Sequence, residues 1–150
     1  MKKFEFHLQK LLSYKGQLLD SEMTTMSVLN DLLKSAQSKL SSLEAQLTAC
    51  RQELQECMQG DISPTDCRLH ANYLTYLREQ VKAQREEVRK ATEKVNAQIE
   101  VIKQLKLDSK SLEILKDTKY EEYRKEANKK AELQIDEFVS FARMKTAGIS

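Results

Sequence analysis

Cysteine and histidine are the residue types in this chain that could bind a metal ion. Cys50 and Cys57 are seven residues apart, and Cys67 and His70 follow as a Cys-x-x-His pair. A structural zinc site needs four such ligands in a tetrahedron. On a helix, Cys50 lies about 10 Å below Cys57, so the spacing only loosely permits the four side chains to converge. We therefore predict no metal site, with Cys50 and Cys57 as small apolar core residues.

No set of residues suggests catalysis. His7 and His70, the two histidines of the chain, are predicted to lie at opposite ends of a hairpin, where they cannot form a pair. Phosphate-binding GxxxxGK[ST], GxSxG and HExxH motifs are all missing from the sequence. We predict that the chain is not an enzyme and uses no cofactor or small-molecule substrate.

The composition indicates long solvated helices. The 150 residues include three glycines and one proline, no tryptophan, 32% charged residues and 6% aromatic residues. Such a chain has too few breakers for a sheet-rich fold and too few large apolar residues for a thick core. Its net charge of +2 gives no general attraction to nucleic acid.

The N-terminus and the hydropathy pattern predict a cytoplasmic protein. A secretory signal needs a continuous apolar stretch after its basic start. In this chain Glu5 and His7 interrupt the stretch Phe4-Glu5-Phe6-His7. No run approaches the roughly 18 apolar residues of a spanning helix. In the cytoplasm the three cysteines are expected to be reduced.

An apolar repeat of 3.5 residues runs through the first half. Thirteen of its fifteen positions are apolar, which predicts a coiled-coil helix rather than a strand. The positions are Leu8, Leu12, Lys15, Leu19, Glu22, Met26, Leu29, Leu33, Ala36, Leu40, Leu43, Leu47, Cys50, Leu54 and Cys57.

A weaker repeat of the same period follows in the second half, with nine apolar positions of twelve. Beyond Leu112 the register is expected to slip. The positions are Leu74, Leu77, Val81, Gln84, Val88, Ala91, Val95, Gln98, Ile102, Leu105, Ser109 and Leu112. Gln84 is a polar residue at a core position, which suggests either control of register or a docking face.

Gly60 and Pro64 mark the turn between the repeats. Ser63 is placed to cap the second helix, and Pro64 suits its first position. The sequence thus predicts an all-α protein with one antiparallel coiled-coil domain: a helix over about 4–58, a turn over about 59–63 and a helix over about 64–146. The second helix is longer, so its last ~28 residues overhang the first, at about 1.5 Å per residue.

The overhang begins in a mixed-charge segment, residues 116–132, with six basic and five acidic side chains. Tyr120 and Tyr123 stand three residues apart in it, followed by Arg124 and Lys125. Aromatic residues beside arginine are enriched at interfaces. We expect this segment to dock a partner.

Three blocks of the sequence resemble the FliJ family of the bacterial flagellar type III export apparatus. The first is Phe4-Glu5-Phe6-His7-Leu8, continued to Leu12, and the second is Tyr73-Leu74-Thr75-Tyr76-Leu77. The third comprises Leu112-Glu113-Ile114-Leu115-Lys116, Tyr120 to Glu126, and Asp136-Glu137-Phe138. The resemblance covers the whole chain.

The resemblance implies a two-helix stalk, like that of the rotary ATPase gamma subunit, which inserts into the hexameric export ATPase. It also implies contact with the cytoplasmic domain of the export gate protein FlhA and escort of substrate-specific chaperones. The protein would be cytoplasmic, associated peripherally with the inner membrane through the apparatus, and monomeric when free.

The resemblance also implies candidate contact residues. Leu43, Tyr73 and Leu77 are candidates for the export gate, although the repeats place Leu43 and Leu77 at least partly inside. For the ATPase, the mixed-charge segment would supply the polar contact surface, which we call the polar bearing. The apolar contact would come either from Phe138 and Phe141 or from Phe4 and Phe6. The full set of ATPase candidates is Phe4, Phe6, Tyr120, Tyr123, Arg124, Lys125, Phe138 and Phe141.

Three alternatives remain open from the sequence. An injectisome stalk protein would have the same fold in a related machine. A homodimeric coiled-coil scaffold would pair the overhangs of two chains. A helical nucleic-acid arm would need a basic stripe, which the chain lacks.

Overall fold

The computed structural model describes residues 2–60 and 63–149, apart from the side chain of Ile149. These residues form two helices, α1 (Gln9–Gln59) and α2 (Pro64–Ile149), of 51 and 86 residues. The helices pack against each other as an all-α helical hairpin. The fold class predicted from the repeats is therefore confirmed. Residues 61 and 62 of the predicted turn lie outside the described residues.

Residue contacts divide the chain into two compact units. One comprises Met1–Leu19 with Gln104–Ser150, and the other comprises Asp20–Lys103. Whether the chain is a single domain stays a prediction.

The start of α2 has the cap expected from the sequence. The amide of Thr65 donates to Ser63 Oγ at 3.2 Å, and the amide of Cys67 donates to the Ser63 carbonyl at 3.2 Å. Pro64 occupies the first helical position, where no amide hydrogen is needed. Asp66 in the first turn places a negative charge near the positive end of the helix dipole.

The predicted core positions are well reproduced. Each of the fifteen positions of the first repeat and the twelve of the second is buried or half-buried. The two charged exceptions have partners on the opposite helix: Lys15 Nζ lies 3.5 Å from Asp108 Oδ2, and the Glu22 carboxylate accepts a hydrogen bond from Gln98 Nε2. Charged groups are tolerated at such positions when they are paired.

Three polar contacts cross the Asp20–Lys103 unit at regular intervals. Gln98 Nε2 donates to the carbonyl of Glu22 at 2.9 Å, Gln84 Nε2 to that of Ala36 at 3.0 Å, and Cys50 Sγ to that of His70 at 3.5 Å. The partners are spaced fourteen residues apart on both helices, at 22, 36 and 50 and at 70, 84 and 98. This spacing equals two heptads and fixes an antiparallel register. Gln84 therefore serves register rather than presenting an open amide.

The predicted start of the first helix is wrong. The helix begins at Gln9, not near residue 4, because Phe6 is buried to 7% exposure and the Gln9 amide donates to the Phe6 carbonyl at 3.0 Å. Residues 2–8 form a non-helical segment. The second helix ends at Ile149 rather than near 146.

The prediction that all three cysteines are reduced is also wrong. Cys57 and Cys67 form a disulfide with a Cα–Cα distance of 5.9 Å. It links the last turn of α1 to the first turn of α2, where the repeats bring the two chain segments together. Cys50 remains a buried free thiol, as predicted for a small core residue.

Candidate functional site

The N-terminal segment packs on α2 through an aromatic cluster, which we define as Phe4, Tyr120 and Tyr123. The Phe4 ring lies 5.3 Å from that of Tyr120 in an edge-on arrangement, and 5.5 Å from that of Tyr123. Tyr123 also donates its hydroxyl to the Lys2 carbonyl at 2.5 Å. Edge-on aromatic pairs at this distance stabilise beyond their buried area.

The cluster corrects the predicted extent of the overhang. Tyr120 and Tyr123 were expected to have no partner in their own hairpin, yet Phe4 and Lys2 both contact this part of α2. Tyr123 and Ala127 are half-buried, whereas every residue from 128 to 148 is exposed. The uncovered part of α2 therefore starts about two to three turns later than predicted.

The candidate basic residues lie next to the cluster. Arg124 and Lys125 are exposed and take part in no ion pair among residues 2–60 and 63–149. The pair in this turn is Lys119 with Glu122, 3.6 Å apart on the surface, and such exposed pairs contribute little to stability. Arg124 and Lys125 are thus available for an acidic partner.

The end of α2 carries large apolar side chains in water. Phe138 is 73% exposed, Phe141 64% and Met144 75%, with Ile135 at 62%. A shallow cavity of about 550 Å³ is bordered by Phe138, Val139 and Ala142. Apolar surface concentrated in this way is typical of interaction sites, and an isolated helix gains little from its own propensity.

A second exposed aromatic surface lies near the start of α2. Tyr73 and Tyr76 stack with ring centroids 6.1 Å apart, and they are 47% and 54% exposed. Leu69, one turn earlier, is 62% exposed. We call these three residues the tyrosine patch.

The other predicted gate residues lie beneath this region. Leu77 is 1% exposed and forms a core cluster with Leu74 and Cys50, against which the half-buried Leu43 packs. Of the three candidates, Tyr73 is the one with substantial exposed surface. Leu43 and Leu77 support the helix pair that presents it.

The electrostatics around Cys50 favour an unreactive thiol. Burial raises the pKa of Cys50, and the Glu53 carboxylate raises it further. Glu53 Oε2 also lies 3.7 Å from His70 Nδ1. A thiol with a raised pKa is a poor nucleophile and a poor metal ligand.

Among residues 2–60 and 63–149, no three or more His, Cys, Asp or Glu side chains are grouped so as to hold a metal ion. Within the same residues, no helix has the length and hydropathy that crossing a membrane requires.

Sequence reasoning missed two features, the disulfide and the fold-back of residues 2–8. The disulfide could have been expected because the predicted turn lies midway between Cys57 and Cys67 and so brings the two residues to the same level of the hairpin. The signal for the second was the pair of phenylalanines placed ahead of the first heptad, because apolar residues outside a repeat need a separate surface to cover them.

Comparison with known proteins identifies a family. The family model described as flagellar FliJ protein matches residues 4–147, nearly the whole chain. No curated protein and no solved structure matches.

Proposed function

Because the chain belongs to the flagellar FliJ family, we propose that it is a non-enzymatic stalk that binds and stimulates the hexameric export ATPase. Membership of the family makes it a component of the flagellar type III export apparatus. The observation that supports the ATPase role is the uncovered end of α2. Phe138, Phe141 and Met144 remain in water there, although burying each would contribute about 1.5–3 kcal/mol.

The exposed end of α2 suits insertion into a ring. A single helix is narrow, and its surface does not repeat with the sixfold symmetry of a hexamer, so its contacts are expected to be few and asymmetric. The charged residues from 116 to 132 would then provide a polar bearing, with Arg124 and Lys125 facing acidic groups of the ring. Phe138 and Phe141 would provide the apolar contact.

The structure favours one of the two apolar contacts left open by the sequence. Phe6 is 7% exposed, and Phe4 is held between Tyr120 and Tyr123. These residues are engaged within the chain, whereas Phe138 and Phe141 are not covered. In the proposal the aromatic cluster anchors the base of the exposed helix, and Phe138 and Phe141 contact the ATPase.

ATP turnover by the purified export ATPase tests this role. A chain truncated after Ala127 keeps the aromatic cluster and the register contacts, so it should remain helical and yet lose stimulation. The double variant Phe138→Ala and Phe141→Ala should weaken stimulation strongly, while Tyr76→Ala serves as a matched exposed aromatic control. Full stimulation by the truncated chain would refute the assignment.

We also propose that the tyrosine patch contacts the cytoplasmic domain of the export gate protein. Exposed tyrosines supported by a firm core are typical of interface anchors, and Tyr73 lies directly beside the buried Leu74 and Leu77. The substitution Tyr73→Ala should reduce binding to the gate domain without reducing ATPase stimulation. Equal loss of both activities would argue for a general folding defect instead.

Escort of substrate-specific chaperones and peripheral association with the inner membrane complete the proposal. Membership of the FliJ family supports both parts of the proposal. In this proposal the end of α2 binds the ATPase ring and not a second copy of the chain. The free protein should therefore be a monomer. Sedimentation at micromolar concentration separates this stalk from the homodimeric scaffold, and stimulation of the flagellar rather than the injectisome ATPase separates the two secretion machines.

A further inference from the structure

A groove of about 510 Å³ lies between α1 and α2 within the Asp20–Lys103 unit. Ala36 and Ala91 occupy two of its core positions, whereas the other positions of the two repeats carry larger side chains. Each of these small side chains leaves space that a larger one would fill. The volume lies within the range of roughly 300 to 1,000 Å³ seen for binding pockets.

The apolar side of this groove is poorly covered on α1. Leu29 is half-buried and Leu32 is 58% exposed, with Val28, one turn before Leu32, 54% exposed. The only fully buried residues of α1 are Cys50 and Cys57. A single partner helix therefore leaves part of the apolar face of α1 in water, and a third apolar element would cover it.

Positive charge borders the groove on both helices. Lys39 lies on one side, and Lys90 and Lys94 lie on the other, with Glu87 as the single acidic lining residue. Glu87 is paired with Lys90 at 3.8 Å. Within the part of the chain that the structure describes, neither Lys39 nor Lys94 takes part in an ion pair. Two uncompensated positive charges thus flank an apolar floor.

We propose that this groove binds an amphipathic α-helix of a partner protein that carries acidic residues beside its apolar stripe. Leucine-type side chains of the partner would contact Leu29 and Leu32, and its carboxylates would face Lys39 and Lys94. The small Ser35, Ala36 and Ala91 allow the backbone of a third helix to approach to the usual 8–10 Å between axes. In this mode of recognition a helix lies in a groove, and its apolar side chains three and four residues apart contact the groove.

The proposal is independent of the ATPase and gate roles. It uses neither the exposed end of α2 nor the tyrosine patch, so its failure would leave those proposals standing. Charge complementarity decides the class of partner, because a basic helix would be repelled by the lysine rim.

A tryptophan introduced into the groove provides a direct readout. The chain contains no tryptophan, so the variant Leu32→Trp places a single indole at the rim of the groove in the full-length protein. The probe is a synthetic helical peptide without tryptophan, with leucines at every third and fourth position and glutamates on both flanks. A matched peptide carries lysine in place of each glutamate.

The acidic peptide should shift the tryptophan emission to shorter wavelength in a saturable way. Reversing the rim charges by Lys39→Glu with Lys94→Glu in the same background should weaken its binding at least about tenfold. The control pair Lys34→Glu with Lys103→Glu changes the net charge equally, outside the groove lining, and should leave binding nearly unchanged. Binding should also weaken as the salt concentration rises from about 0.05 M to about 0.5 M. The ion pairs between the peptide glutamates and the lysines lie at a solvent-exposed rim, where salt screens them.

Three results would overturn the proposal. They are the absence of saturable binding by the acidic peptide, equal binding of the basic peptide, and equal weakening by the control pair. Dimerisation of the chain that buries the introduced tryptophan, seen by sedimentation without peptide, would assign the groove to a second copy instead. The salt series uses no charge variant, so it still tests the proposal if the Lys39→Glu, Lys94→Glu protein fails to fold.

Discussion

Gln84 Nε2 donates a hydrogen bond of 3.0 Å to the carbonyl oxygen of Ala36 on the opposite helix. Gln84 is 7% exposed, so without this partner its amide would be buried and unsatisfied. Gln98 repeats the arrangement with Glu22, fourteen residues away on each helix. Buried polar residues of this kind select one register at some cost in stability.

Replacing both glutamines tests their role in register. The double variant Gln84→Leu and Gln98→Leu should unfold at the same or higher denaturant concentration, since leucine avoids the cost of burying an amide. Its amide spectrum should show duplicated peaks, because shifted registers are no longer penalised. Thr75→Leu, at an exposed position of the same helix, is the control and should keep a single set of peaks. A large loss of stability with one set of peaks would mean that the hydrogen bonds mainly stabilise the fold.

The aromatic cluster should protect the part of α2 that it covers. Phe4→Ala removes the contacts with Tyr120 and Tyr123 and should cost about 2 kcal/mol of local stability, because Phe4 is half-buried. Hydrogen exchange of the amides from 120 to 127 should accelerate, with little change in the Asp20–Lys103 unit. Phe141→Ala is the matched control, because Phe141 is 64% exposed. Equal acceleration in both variants would contradict the role given to Phe4.

The disulfide should stabilise the hairpin near its turn. Cys57 and Cys67 are ten positions apart in the sequence. Closing a loop of that size lowers the entropy of the unfolded chain, which raises its free energy by about 2.7 kcal/mol at 25 °C. A dithiol reductant should therefore lower the unfolding midpoint of the wild-type protein. The Cys57→Ser, Cys67→Ser variant should show the lower midpoint with or without reductant. An unchanged wild-type midpoint would show that the bond contributes nothing.

Ser109 offers a way to stabilise the protein. Its hydroxyl oxygen is buried and has no hydrogen-bond partner among residues 2–60 and 63–149, so Ser109→Ala should raise the free energy of unfolding by about 1 kcal/mol. The exposed Ser111 lies two residues further along the same helix. Ser111→Ala measures the part of the gain that comes from helix propensity alone. Denaturant titration should give a larger gain for Ser109→Ala, and equal gains would mean that the buried hydroxyl costs nothing.

The repeats predicted the fold because burial in a hairpin is periodic. Even Lys15 and Glu22, which break the apolar pattern, occupy core positions and meet partners on α2. The fold-back of Phe4 onto Tyr120 was not predictable in this way, since it joins residues far apart in sequence without any repeat. The disulfide was missed because reduced cysteines were expected from the predicted cytoplasmic location. The structure instead brings Cys57 and Cys67 together across the turn.

The candidate contacts were predicted less completely than the fold. The exposed positions of Phe138 and Phe141 follow from the greater length of the second helix, which the turn position already fixed. The exposure of Tyr76 next to Tyr73, by contrast, depends on how the two helices rotate against each other. Small shifts of that rotation move a side chain from the core to the surface, and a heptad count alone does not resolve them.

The fourteen-residue interval between polar contacts limits how such a hairpin can change its length in evolution. Deleting one residue from one arm would turn everything beyond it by about 100° around the helix axis, so that a glutamine would face water and a lysine the core. Adding two heptads to both arms at once would keep every pairing. We expect related chains of different length to differ by matched insertions, with their glutamines still opposite backbone carbonyls.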